Sequence, residues 1–269
     1  RKLKSNFYLY LATLFTILLL LDAGVFHRGE GMRDSAFDFI VKHRIFQPKA
    51  DKDIIIVDIN EASLAAFSKD YGRWPWPRDT LATVLAHIER QQPAAIVWDI
   101  LFSDADRLSP GGDAAFNQAA RQSPHSHFPV VRLPGSNDTV SQITRQALPG
   151  FWARPPAPAA SAWALAGPMS TVALIPPALS ALEESGRLGY NNGYVDDDGV
   201  LRRYRYFERL PDGSHIQSIV MSAANAINKE AYYAHLVLAG SQSDELIAWR
   251  SRAGAYPRVS FSDVFAQAE

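Results

Sequence analysis

The sequence predicts an α/β fold, with a mostly parallel central sheet flanked by helices and preceded by one N-terminal transmembrane helix. Three observations carry this prediction. Residues 54–59 and 94–102 are apolar runs rich in β-branched residues, each carrying one aspartate (Asp58, Asp99), the pattern of strands buried on both faces of a parallel sheet. Between them Leu81, Val84, Leu85 and Ile88 recur at i, i+3, i+4 and i+7, which gives a helix one apolar face. Residues 7–26 are almost wholly apolar, and about 20 helical residues span the hydrocarbon core of a bilayer.

Each element follows in chain order. Arg1, Lys2 and Lys4 precede the apolar stretch and only Arg28 follows closely. The positive-inside rule therefore places residues 1–6 in the cytoplasm and the rest of the chain outside. Thr13 and Thr16 can bond back within the helix, and Asp22 lies near one end. A cleaved signal peptide is the alternative, but no small-residue cleavage pattern follows the run. A buried soluble helix would need a polar face, and none exists between Phe7 and Leu21. Residues 34–45 read as an amphipathic helix with Phe37, Ile40 and Val41 on one face, ended by Pro48. Pro77 suits the first turn of the helix after the first strand, and Pro93 closes that helix. Strand, helix and strand then make a βαβ unit, with the two strands expected to be parallel neighbours.

Residues 113–121 read as a short Ala-rich helix and 128–133 as a third parallel strand. Residues 134–168 hold Pro149, Pro155, Pro156 and Pro158 with little periodicity, and are expected to be a surface excursion, a lid or contact surface. A helix over 176–185 ends at Gly186. Residues 189–199 are dense in turn formers. Residues 201–210 alternate as an edge strand does, and 216–228 read as a helix burying Ile219, Val220, Ala223 and Ile227. Residues 246–249 and 258–261 suggest two short final strands. No internal repeat is visible.

Composition narrows the function classes. The chain is 47% hydrophobic and 20% charged, with a formal net charge of −1, so no basic excess argues for nucleic acid. Cysteine is absent, which excludes disulfides and thiolate metal sites. Beginning at Arg1 rather than Met, the chain is expected to be part of a longer protein.

The residues with chemistry to offer sit at expected strand ends. Asp58 and Asp99 fall at the carboxyl ends of the two strands, where ligand sites of open α/β sheets lie. Asp104 and Asp106 follow the second strand, and Asp196, Asp197 and Asp198 form an acidic turn. Converging carboxylates repel unless a cation or arginine intervenes. Arg78, Arg202 and Arg203 are candidate counter-ions. A hard divalent cation, Ca²⁺ or Mg²⁺, is the alternative, with Asp58, Asp99, Asp196 and Asp198 as oxygen ligands. Equally, Asp58 and Asp99 cap turns and pair with Arg78 simply to fix loop geometry. An EF-hand is excluded: with Gly199 at loop position six, Tyr194 and Arg205 would fall where acidic ligands belong. Trp74 and Trp76 alternate with prolines and offer either a rigid recognition surface or a roof over the sheet. His125 and His127 lack a third metal ligand nearby in sequence. No nucleophile elbow, phosphate loop, zinc-protease motif or dinucleotide fingerprint occurs.

With these residues in place, the chain resembles a CHASE2 domain, the extracytoplasmic sensor module of bacterial membrane receptors. The resemblance rests on residues 56–64, on Gly72-Arg73-Trp74-Pro75-Trp76-Pro77-Arg78, on Asp99-Ile100-Leu101-Phe102 and on Asp113. It continues through Gly189-Tyr190-Asn191-Asn192 and residues 196–203. It covers about residues 30–265. It implies a periplasmic domain over residues 30–269, anchored in the inner membrane by residues 7–26. It also implies later membrane helices, then a cytoplasmic cyclase, diguanylate cyclase or kinase output beyond Glu269. A core strand is expected there too.

The leading expectation is a signal-sensing region binding an unknown small molecule or envelope protein. Its expected contacts are Asp58, Trp74, Trp76, Arg78, Asp99, Asn191, Asn192, Asp196, Asp198 and Arg202, with Arg78 close to Asp58 and Asp99. No cofactor is required beyond the divalent cation considered above. The competing expectations are an interaction module that pairs receptor protomers as a homodimer, and a membrane-anchored, Mg²⁺-dependent hydrolase.

Overall fold

The computed structural model describes residues 6–21, 28–46, 48–153, 170–238, 244–250 and 254–268. They fall into two units: residues 1–50 with 248–255, and residues 51–247 with 256–269. The first unit holds helix α1 (Phe7–Leu21) and helix α2 (Arg28–His43). Among the described residues, no helix is long and apolar enough to cross a membrane. Residues 22–26 of the expected span lie outside the described residues.

The second unit mixes helices with small sheets. In order it contains β1 (Ile56–Asp58), α3 (Glu61–Phe67), α4 (Arg78–Arg90), β2 (Ile96–Val97), α5 (Gly112–Gln122) and β3 (Ser126–Arg132). Then come β4 (Leu174–Ile175), α6 (Ser180–Glu184), β5 (Leu188–Tyr190), β6 (Arg203–Tyr204), β7 (Phe207–Arg209) and β8 (His215–Gln217). It closes with α7 (Ile219–Ile227), α8 (Lys229–Leu238), β9 (Glu245–Leu246), β10 (Arg258–Ser260) and α9 (Phe261–Ala268).

Strands β2, β3 and β5 form a parallel ladder, with β4 antiparallel beyond the end of the β3–β5 pairing. The expected pairing of β1 with β2 is corrected. β1 runs parallel to β10, in the register Ile56↔Arg258 to Asp58↔Ser260, and β2 pairs with β3. Chain neighbours become sheet neighbours only about two-thirds of the time, and here a strand 200 residues later in sequence takes the place.

Helix α4 forms as its periodicity predicts, with Leu81, Val84 and Leu85 buried and Ile88 packed at the edge of the core. On the α5 side of the sheet, Phe116 stacks on Phe102 at 4.7 Å and meets Trp98 edge-on at 5.5 Å. On the other side α7 packs across β2, β3 and β5. Its approach to β5 depends on Gly189: a Cβ there would lie 2.3 Å from the Ile219 backbone nitrogen.

Four further expectations change. The two apolar strands are not buried on both faces: Trp98 and Phe102 are buried, while Val97, Leu101, Ile54 and Ile55 are exposed. Residues 216–228 divide into β8 and α7, because Ser218 caps the helix by accepting from the Met221 N–H. The 201–210 run divides into β6 and β7. Part of the expected surface excursion is core, since Leu148, Phe151 and Trp152 are buried and Trp152 bridges Ile216. Residues 154–168 of it lie outside the described residues.

Candidate functional site

The loops at the carboxyl ends of β1, β2 and β5 hold the expected residues, but in separate clusters. Arg78 opens α4 and is held by the segment that follows β2. Its backbone N–H donates to Asp106 Oδ2 at 2.8 Å, and its guanidinium pairs with Asp113 Oδ1 at 3.3 Å, donates to the Asp104 carbonyl and lies over the Phe102 ring. Asp106 Oδ1 accepts from the backbone N–H groups of Leu108 (2.8 Å) and Ser109 (3.2 Å). Gly112 permits this closeness, since a Cβ there would fall 2.1 Å from Asp106 Oδ2. Partial burial pushes the Asp106 carboxyl upward. The backbone donors and the Arg78 charge outweigh it and hold the group below the usual carboxylate range. This cluster fixes a loop, the role that the ion-pair reading assigned to Asp58 and Asp99.

Those two aspartates have other partners. Asp58 pairs with Arg258 across the β1–β10 ladder at 2.8 Å. Asp99 accepts from Asn191 Nδ2 at 2.5 Å, and both residues are exposed. Neighbouring Asn192 has a structural task. Its amide accepts from the Arg132 N–H at 2.8 Å and donates to the Arg132 carbonyl at 2.9 Å, so a side chain extends the β3–β5 pairing past the strand end.

The acidic turn closes on arginine. Arg202, 4% exposed at its side chain, donates to Asp196 at 3.1 Å and to both oxygens of Asp198 at 2.8 and 2.6 Å. Arg203 reaches Asp196 at 2.8 Å. The hydrogen bonds from Arg202 hold the Asp198 carboxyl down to about 2. Gly199, at φ 80°, makes the turn. Among the described residues no group of three or more acidic or histidine side chains is arranged to hold a metal ion.

The tryptophans differ. Trp76 is buried, stacked on Phe67 at 4.3 Å and donating its N–H to the Gly72 carbonyl. Trp74 lies edge-on to it at 5.2 Å and is exposed. Of the ten expected contacts, Trp74, Asp99 and Asn191 combine exposure with no part in an arginine cluster or the core.

Two clusters escaped sequence reasoning. Arg132, 2% exposed at its side chain, is bidentate to Asp138 (2.6 and 2.7 Å), reaches Glu208 at 2.7 Å and donates to the Ala173 carbonyl at 3.0 Å. Burial would lower its pKa, but the Asp138 and Glu208 bonds raise it above the ordinary arginine value. A charge closing the apolar run of β3 was the available signal, because buried arginine is rare unless paired. The second cluster joins Glu89 to His125 (2.5 Å) and Ser123 (2.6 Å), with Ser123 bonded to Ser126 at 2.7 Å. Beside it an open groove of about 350 Å³ runs between α4 and α5, lined by Ala86, Glu89, Arg90, Ala119 and Gln122. His127 is buried, bonded to Ser222 of α7 at 2.9 Å.

A family model described as CHASE2 domain matches residues 11–269. Comparison with curated proteins and with solved structures gives no match.

Proposed function

The chain belongs to the CHASE2 domain family, a family of sensor domains, and from that premise we propose that it is the extracytoplasmic sensing region of a bacterial inner-membrane receptor. Residues 7–26 anchor it in the bilayer with residues 1–6 in the cytoplasm. Residues 30–269 face the periplasm, and a cyclase or kinase output domain acts on the cytoplasmic side. The observation that carries the sensing site is the exposed Asp99–Asn191 pair at the exits of β2 and β5. The arginine-locked loops hold their own backbones rigid. Asp99 and Asn191 remain open to a small ligand or an envelope protein that presents hydrogen-bond donors. A signal acts only through a difference in affinity for two packings of the domain.

The test is thermal and chemical unfolding of the full chain against a panel of metabolites and divalent cations. A specific ligand at one hundred times its dissociation constant adds about 2.7 kcal/mol of stability. Asp99→Asn with Asn191→Ala is expected to abolish that gain. A gain that survives the double substitution removes the site.

One observation favours a homodimerisation surface instead. Val97 ends β2 and Leu101 lies in the segment that follows, and Val97 pairs in register with His127, which bonds Ser222 of α7. Both are exposed apolar side chains, 51% and 50% exposed, close together in the chain. If they pair protomers, Val97→Asp lowers the dimer fraction in sedimentation at fixed concentration. An unchanged distribution rules them out as the contact.

A further inference from the structure

Helix α2 leaves a strip of apolar side chains open along one face. Met32, Ala36, Phe39, Ile40 and His43 recur at i, i+4, i+7, i+8 and i+11, so they share one face. That face is open: Met32 is 72%, Phe39 63% and Ile40 62% exposed. The opposite face, Asp34, Phe37, Asp38 and Val41, is half-buried. The helix therefore half-buries Asp34 and Asp38 together with Phe37 and Val41, and leaves Met32, Phe39 and Ile40 exposed, so Ile40 does not share the half-buried side of Phe37 and Val41 as the sequence spacing suggested. Arg33 and Lys42, both exposed, lie on either side of the apolar strip. Ile45 and Phe46, 91% and 88% exposed, follow directly.

We propose that this face of α2 lies flat in the headgroup boundary of an anionic lipid surface, with Met32, Phe39 and Ile40 entering the acyl margin and Arg33 and Lys42 meeting lipid phosphates. An interfacial helix needs this arrangement of apolar strip and flanking cations, and carboxylates turned away from the anionic surface complete it. Chain continuity selects lipid over a second protein copy. Every side chain of α1 from Phe7 to Leu21 is exposed, with no polar face. Only residues 22–27 join the two helices, a tether of at most roughly 20 Å. If α1 is embedded, α2 begins within reach of the headgroups. The inference rests on the membrane reading of residues 7–26, and adds that α2 continues the contact along the surface.

The absence of cysteine makes single-site labelling direct. Leu18→Cys, Phe39→Cys and Lys69→Cys variants of the full chain, each carrying an environment-sensitive nitrobenzoxadiazole probe, are placed in phosphatidylcholine–phosphatidylglycerol nanodiscs. Spin-labelled lipids carry the quencher near the headgroup or deep in the chain. All three positions are exposed, so the substitutions leave the core intact. The expected result is loss of most emission at position 18 with the deep quencher, loss at position 39 with the shallow quencher, and none at position 69. Replacing both Arg33 and Lys42 with Glu is expected to relieve the quenching at 39 and leave 18 unchanged. Quenching at 18 without quenching at 39 overturns the inference while the anchor stands. No quenching at either position overturns the anchor itself. A disulfide between two copies of the unlabelled Phe39→Cys variant, formed without quenching at 39, assigns the face to a second copy and also overturns it.

Discussion

Replacing Arg132 with alanine is expected to lower folding stability by about 3 kcal/mol, the low end of the range for breaking a buried ion pair from one side. The low end applies because Asp138 and Glu208 are 19% and 20% exposed at their side chains and can partly rehydrate. The loss arises less from the missing attraction than from two carboxylates left facing each other in a poorly hydrated place. Asp138 also holds the 134–141 segment through the Ala173 N–H at 2.7 Å, so the disturbance reaches β4. Urea unfolding of the wild type and the variant measures it, with the midpoint falling and the slope unchanged. Combining Arg132→Met with Asp138→Asn and Glu208→Gln should recover part of the loss, because no unpaired charge remains. A single-variant loss below about 1 kcal/mol would show that these charges are solvated in the native protein.

The second large effect is acid sensitivity through His127. Burial beneath α7, then the positive charges of Arg187 and His125, lower its pKa from 6.5 to about 4. The folded protein thus requires a neutral ring where the unfolded chain accepts a proton. The stabilising contribution is complete above about pH 6.5, falls as the pH drops from about 6.5 toward 4, and is gone below that. At 1.36 kcal/mol per unit, the interval amounts to about 3 kcal/mol. His215 is shifted the same way, by burial first and then by Arg209, so the wild type alone does not isolate one ring. The difference between the wild type and His127→Gln does. The variant is expected to lose about one proton from the dependence of stability on pH between 4 and 6.5. Parallel curves for the two proteins would mean that His127 already carries its proton in the fold.

Local patterns in the sequence carried as far as local forces do. The 3.6-residue spacing of Leu81, Val84, Leu85 and Ile88 found its helix, and Gly186, at φ 67°, stands just beyond α6 as a helix-ending glycine should. β5 was hidden because Leu188-Gly189-Tyr190 is three residues long and sits among turn formers. Only contact with β3 and α7 makes it a strand. α9 is less legible although Phe261, Val264 and Phe265 show helical spacing, because Phe261 reads as the end of the 258–261 strand and too few residues follow to display a period. At the site, the residue types were legible and their pairing was not. Arg78 meets Asp104, Asp106 and Asp113 in place of Asp58 and Asp99, because the segment from β2 into the start of α5 folds over the first turn of α4, while Arg258 takes Asp58 across the ladder. Asn191 and Asn192 look alike in sequence. One binds an exposed carboxylate and the other braces a strand, a distinction made by which side of the chain each faces.

The partnership of β1 with β10 has a consequence for biogenesis. Ile56 leaves the ribosome long before Arg258, its partner in the register. At roughly 5–20 residues per second, that interval is about 10–40 s. For all of it β1 is an unpaired, apolar β-strand, the kind of segment that templates aggregation. Among the described residues β10 is the strand that pairs with β1, so a chain cut before residue 258 leaves Ile56–Asp58 without that partner and is expected to aggregate more readily than one that includes it.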